Sequence, residues 1–92
     1  MNTIENVKLP DGWTAEQNQN GSTSISAPTT ETHNGGGATI NWTLRKWCLG
    51  YGNLPGPQQP AYTGRNWKTK LVTDAVSGLD KALFRYPIPA PL

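Results

Sequence analysis

The chain has one cysteine, one histidine, few acids and no long apolar run. A single cysteine, Cys48, excludes a disulfide within the chain and argues against the cross-linked frameworks of small secreted folds. No unbroken apolar stretch exceeds three residues, against the ~20 needed to cross a bilayer as a helix, so no membrane partner is expected. The segment MNTIENVKLPDG contains no apolar h-region, so no secretory leader is expected there. Without secretion, Asn20-Gly21-Ser22 and Asn41-Trp42-Thr43 are chance matches to the glycosylation pattern. His33 and Cys48 cannot supply metal-site spacing. As a nucleophile pair they have only their coexistence in their favour. The expectation is a buried structural Cys48 in a strand and a solvated His33 in a glycine-rich loop. Asp74 and Asp80 lie six apart on a predicted helix and read as a solvated face rather than paired catalytic carboxylates. No enzyme, cofactor, metal or small-molecule substrate is therefore expected.

Acids are also missing from a particular place. The six are Glu5, Asp11, Glu16, Glu31, Asp74 and Asp80, so none falls between Thr32 and Thr73. That window holds Arg45, Lys46, Arg65, Lys68 and Lys70 together with Trp42, Trp47, Tyr51, Tyr62 and Trp67. The net charge of the whole chain is only +2, so segregation, not total charge, points to an anionic partner. Phosphates attract lysine and arginine, and exposed bases stack on aromatic rings or guanidinium planes. No recognised nucleic-acid motif accompanies the window. A nucleoprotein, which offers phosphates and acidic protein patches together, fits as well as free nucleic acid.

What is present suits one small α+β domain over residues 1–92. Four tryptophans, three tyrosines and one phenylalanine must supply most of the core, each burying about 150–250 Å². Residues 1–10 read as an extended arm. Antiparallel strands follow over 12–49: one at 12–17, one at 22–27 joined to it by a tight turn at Asn20-Gly21, and one from Ala38 to about Leu49. Composition permits disorder around residues 28–37. In the third strand Ile40, Trp42 and Leu44 alternate in one phase and Trp47, Leu49 and Tyr51 in the other. One extra residue produces such a switch, which predicts a β-bulge at Arg45-Lys46. Ile40, Trp42 and Leu44 are then expected against the helix, with Trp42 and Trp67 in the core.

Residues 50–63 form a proline- and glycine-rich loop. Its GYGNLPG has the wrong glycine spacing for a dinucleotide loop, and its PQQP is a rigid loop before it is an SH3 ligand. The apolar spacing of Trp67, Leu71, Val72, Ala75, Val76, Leu79, Ala82 and Leu83 predicts a helix over 64–84 with Thr63 as N-cap. Gly78, which costs about 1 kcal/mol relative to alanine inside a helix, marks a close approach to the sheet. Arg65 and Lys68 lie towards the apolar sector at the helix N-terminus, where cations oppose the macrodipole. Coincident violations of this kind occur at functional sites. Residues 85–92 form a proline-rich tail. The expected architecture is a small antiparallel sheet of three to four strands packed against one C-terminal α-helix.

The stretches NTIENVKLPDGWTAEQNQNGS and TGRNWKTKLVTDAVSGLDKAL give the chain an overall similarity to small phage-encoded anti-CRISPR proteins that inhibit the type I-F CRISPR surveillance complex (the Csy complex). Those inhibitors share no catalytic motif, so nothing transfers residue by residue. The resemblance implies a non-enzymatic inhibitor in the cytoplasm of the infected bacterial host. It would bind subunits of the crRNA-guided complex, and the guide RNA itself, to block target-DNA binding. The alternative is a stand-alone small nucleic-acid-binding phage protein. In either case the expected partner-binding residues are Arg45, Lys46, Trp47, Tyr51, Tyr62, Arg65, Lys68 and Lys70.

Overall fold

The computed structural model describes residues 3–29, 36–49 and 62–85. Among the described residues, two antiparallel sheets and one helix make up an α+β fold. The first sheet is a miniature hairpin, β1 (Thr3–Ile4) with β2 (Val7–Lys8). Its two-residue loop holds Glu5 and Asn6 at φ of +48° and +66°, the signature of a type I′ turn. The expected extended arm is thus folded back on itself. The second sheet has four strands in sequence order: β3 (Thr14–Gln17), β4 (Thr23–Ser26), β5 (Gly37–Asn41) and β6 (Lys46–Leu49). The helix, α1, runs from Trp67 to Arg85.

The β3–β4 connection lies at Asn20-Gly21, as expected, but it is not a two-residue turn. Asn18 N–H donates to the Ser22 carbonyl at 2.8 Å and Gly21 N–H to the Asn18 carbonyl at 3.1 Å. Gly21 alone takes the left-handed conformation, at φ +87°. This is a type I turn closed by a glycine bulge. Asn20 Oδ1 supports it by accepting from both Ser22 N–H and Ser22 O–H.

The predicted bulge is absent; the chain reverses instead. Residues 42–45 form a turn, and β6 returns antiparallel to β5, pairing Ala38 with Leu49, Ile40 with Trp47 and Asn41 with Lys46. Each pair of numbers adds to an odd sum, so the inward set changes from even to odd positions across the turn. A reversal therefore produces the same phase switch as an inserted residue. Leu44, expected against the helix, sits in the turn and is 60% exposed. Arg45 closes the turn at φ +52°, with its N–H on the Trp42 carbonyl at 3.3 Å. Asn41 Oδ1 accepts from Leu44 N–H at 3.0 Å.

One face of the sheet is apolar. Ile25, Ala38, Ile40 and Trp47 are buried on it, opposite Leu71, Val72, Ala75, Leu79 and Leu83 of α1. The spacing of the helical residues is that of a single stripe. Leu9 and Trp13, between β2 and β3, join the same core. The reverse face carries Glu16, Ser24, Thr39, Lys46 and Cys48, and Cys48 is exposed there. It is not the buried cysteine that its strand position suggested, because β6 turns its odd positions inward.

The helix begins later than the spacing predicted. Asn66, whose carbonyl accepts from Lys70 N–H at 3.0 Å, occupies the N-cap, and Gly64 at φ +91° turns the chain between Thr63 and that cap. Gly78 does mark a close approach. A Cβ built there would lie 2.1 Å from Cη2 of Trp47, so the indole ring of β6 occupies the space a side chain would fill.

Candidate functional site

The turn at 42–45 and the first turn of α1 meet at one end of the fold. Arg45 projects its guanidinium over the Trp67 ring, 4.4 Å from the centroid, well within cation–π range. Its Nη1 donates to the carbonyl of Tyr62 at 3.1 Å. Trp67 packs edge-on against Trp42, with centroids 6.3 Å apart and planes at 66°. Lys68 Nζ lies 5.8 Å from the Trp42 ring and 5.7 Å from the Trp67 ring. Trp42 is fixed by its Nε1–H, which donates to Thr23 Oγ1 at 2.9 Å. Both rings are half-buried at the rim of the core, not inside it as expected.

Arg45 is costly where it stands. A left-handed conformation disfavours any residue with a Cβ by about 1–2 kcal/mol, and glycine or asparagine is the usual occupant. The cation–π contact with Trp67 and the bond to Tyr62 hold it there, while the residue as a whole stays exposed. Backbone strain held in place by surrounding contacts is a feature of functional sites.

Of the eight candidate residues, the structure gathers some and separates others. Arg45 and Lys68 meet at Trp67. Arg65 is exposed two residues before that ring. Lys46 follows Arg45 but turns to the outer face of the sheet, since Trp47 beside it points to the helix. Lys70 is exposed and lies about 200° around the helix from Lys68. Trp47 and Tyr62 are not surface groups, at 5% and 2% exposed. Trp47 Nε1–H donates to Tyr62 Oη at 3.2 Å, and Tyr62 O–H donates to Asp74 Oδ2 at 2.9 Å. Burial and the Asp74 acceptor raise the Tyr62 hydroxyl above the ordinary tyrosine range, against a smaller opposing effect of the Trp47 N–H. Asp74 is accordingly half-buried and engaged rather than freely solvated. Tyr51 and His33 fall outside the described residues.

The acid-free window does not survive folding. Glu5, in the first hairpin, brings its carboxylate to 3.6 Å from Lys68 Nζ. An exposed pair of this kind is worth at most about 1 kcal/mol, but it offsets the charge of Lys68 and the unfavourable placement of a cation at a helix N-terminus. Beside it lies a groove of about 400 Å³ between the first hairpin and β3, with Trp42 and Lys68 in its wall. Nothing in the linear sequence brought Glu5, Glu16 and Trp42 together.

Among the described residues no three His, Cys, Asp or Glu side chains are grouped as a metal site would require, and no helix is long and apolar enough to cross a membrane. No family model, curated protein or solved structure matches this chain.

Proposed function

We propose that the protein is a non-enzymatic inhibitor that docks on a crRNA-guided surveillance complex of type I-F and blocks its binding of target DNA. The observation that carries this reading is Arg45: an exposed residue in a strained backbone position, its guanidinium held over a tryptophan ring at the meeting point of two elements. Such a group arrives pre-ordered, so binding a phosphate, a base or a carboxylate costs little further side-chain entropy. Two further exposed cations are available nearby in the chain or fold: Lys46, next to Arg45 in sequence and on the outer face of the sheet, and Arg65, two residues before Trp67. The resemblance noted in the sequence supplies the target, and a guide held along protein subunits offers the matching chemistry. Target recognition proceeds through guide pairing from a seed, so a wedge at that step inhibits without chemistry.

The test combines purified surveillance complex, its target duplex and the protein in a gel-shift titration. Stoichiometric loss of DNA binding is expected. The Lys46→Glu, Arg65→Glu double variant should weaken inhibition at least roughly tenfold, consistent with charge-assisted contacts worth about 1–2 kcal/mol or more together, while its circular dichroism stays unchanged. Failure of the wild-type protein to associate with the complex would sink the proposal. Tight binding to free RNA or DNA that falls steeply with salt would instead favour the stand-alone nucleic-acid-binding reading.

A further inference from the structure

The four-stranded sheet ends at β3, and that edge is open. Asn18 and Ser22 form a hydrogen-bonded pair beside the turn. Alternation along an antiparallel ladder then makes Glu16↔Ser24 the next bonded pair and leaves Ala15↔Ile25 and Gln17↔Thr23 as the non-bonded ones. The backbone N–H and C=O groups of Ala15 and Gln17 therefore point away from the sheet. Among the described residues neither group has a partner. All four residues of β3 are exposed, because α1 covers β5 and β6 and stops short of this edge.

The groove adjoins that edge. Ala15, Glu16 and Gln17 all line it. Ala15 and Gln17 lie on the same face of the sheet as Thr23 of β4, which lines the groove as well, so the groove covers the inner face of β3 next to its open edge. Ile4 and Trp42 give its wall apolar surface. Open edges are usually blunted by proline, bulges or charge; within β3 the one such device is Glu16.

Glu16 also selects the occupant. A two-fold pairing of β3 with a second copy, exchanging bonds through Ala15 and Gln17, sets Glu16 directly opposite its own equivalent, and like charges so placed are destabilising. Glu16 forms no ion pair among the described residues. The unpaired carboxylate of Glu16 likewise disfavours a phosphate backbone along this edge. We propose that the β3 edge receives an extended segment of a partner protein as an added strand, with a lysine or arginine opposite Glu16 and apolar residues on either side packing towards Ile4 and Trp42. This surface is separate from the Arg45 corner and does not depend on what that corner binds.

The probe is a capped heptapeptide of alternating valine and threonine with lysine at its centre, titrated into the isotopically labelled full chain and followed by amide NMR. Binding should slow hydrogen exchange at the Ala15 and Gln17 amides and leave the β6 amides unaffected. Replacing the central lysine by glutamate should weaken binding roughly five- to tenfold, and Glu16→Lys should invert that preference. Gln17→Pro removes an outward N–H without costing a ladder bond and should abolish binding. N-methylation of the peptide at its inward-facing amides should do the same with the protein unaltered. Absence of exchange protection at Ala15 and Gln17, equal affinity for the lysine and glutamate peptides, or full binding of the N-methylated peptide would each overturn the proposal.

Discussion

Replacing Gly78 by alanine tests the packing of α1 on the sheet most sharply, because two effects of opposite sign compete there. In an exposed helix interior the change gains about 1 kcal/mol from propensity. Here the new Cβ would lie 2.1, 2.6 and 3.1 Å from Cη2, Cζ2 and Cζ3 of Trp47. Carbon atoms settle at roughly 3.5–4.0 Å, so the ring must be displaced substantially. Overpacking of this kind costs about 1–3 kcal/mol. Displacement also pulls Trp47 Nε1–H away from Tyr62 Oη, and an orphaned buried donor costs about 1–3 kcal/mol more. The balance is a net loss of about 1–5 kcal/mol, set against a total stability of about 5–14 kcal/mol for a chain of this size. Thermal unfolding followed by circular dichroism should show a midpoint at least roughly 4 °C lower. Ser77→Ala, at the adjacent exposed position, should instead gain a few tenths of a kcal/mol. Trp47→Phe should partly rescue the Gly78→Ala variant, giving a non-additive double-mutant cycle. A Gly78→Ala protein as stable as the parent would show that the indole does not lie against the helix at this point.

Two further outcomes follow, one from the core and one from the outer face of the sheet. Tyr62 has a raised pKa in the folded state, so the folded chain holds this proton more tightly than the unfolded chain does; the stability this contributes is complete below the unfolded value near 10 and is lost as pH rises through the folded value. Alkaline titration followed by tyrosinate absorbance should show one tyrosine ionising late, and Tyr62→Phe should remove that phase while costing about 1–3 kcal/mol through the unpaired Trp47 N–H. Cys48, exposed on the outer face of the sheet, should react stoichiometrically with a disulfide reagent under native conditions; a need for denaturant would place β6 in the wrong register.

The hairpin at 42–45 explains most of the difference between what the sequence implied and what the fold contains. Alternation reports parity, and both a bulge and a reversal change parity. The two alternatives exchange the environments of neighbouring residues. With a reversal, Ile40 and Trp47 become cross-strand partners in the core, while Trp42 moves to the rim, where it meets Trp67. The available clue was Gly78, a helix interior glycine that needed a large partner, but its partner could be named only once the strands were in register.

The one-dimensional pattern determined the element types: weakly alternating strands, a turn at Asn20-Gly21, and a helix whose stripe of Leu71, Ala75, Leu79 and Leu83 is unmistakable. These depend on local periodicity and on backbone freedom at single residues. Tertiary structure decided everything that requires distant residues to meet. It placed Arg45 on Trp67, paired Glu5 with Lys68 across the acid-free window, buried Tyr62 against Trp47 and Asp74, and left the β3 edge bare beside a groove. Charge and burial are properties of neighbours in space, and those neighbours are fixed by strand register and by where the helix comes to rest on the sheet.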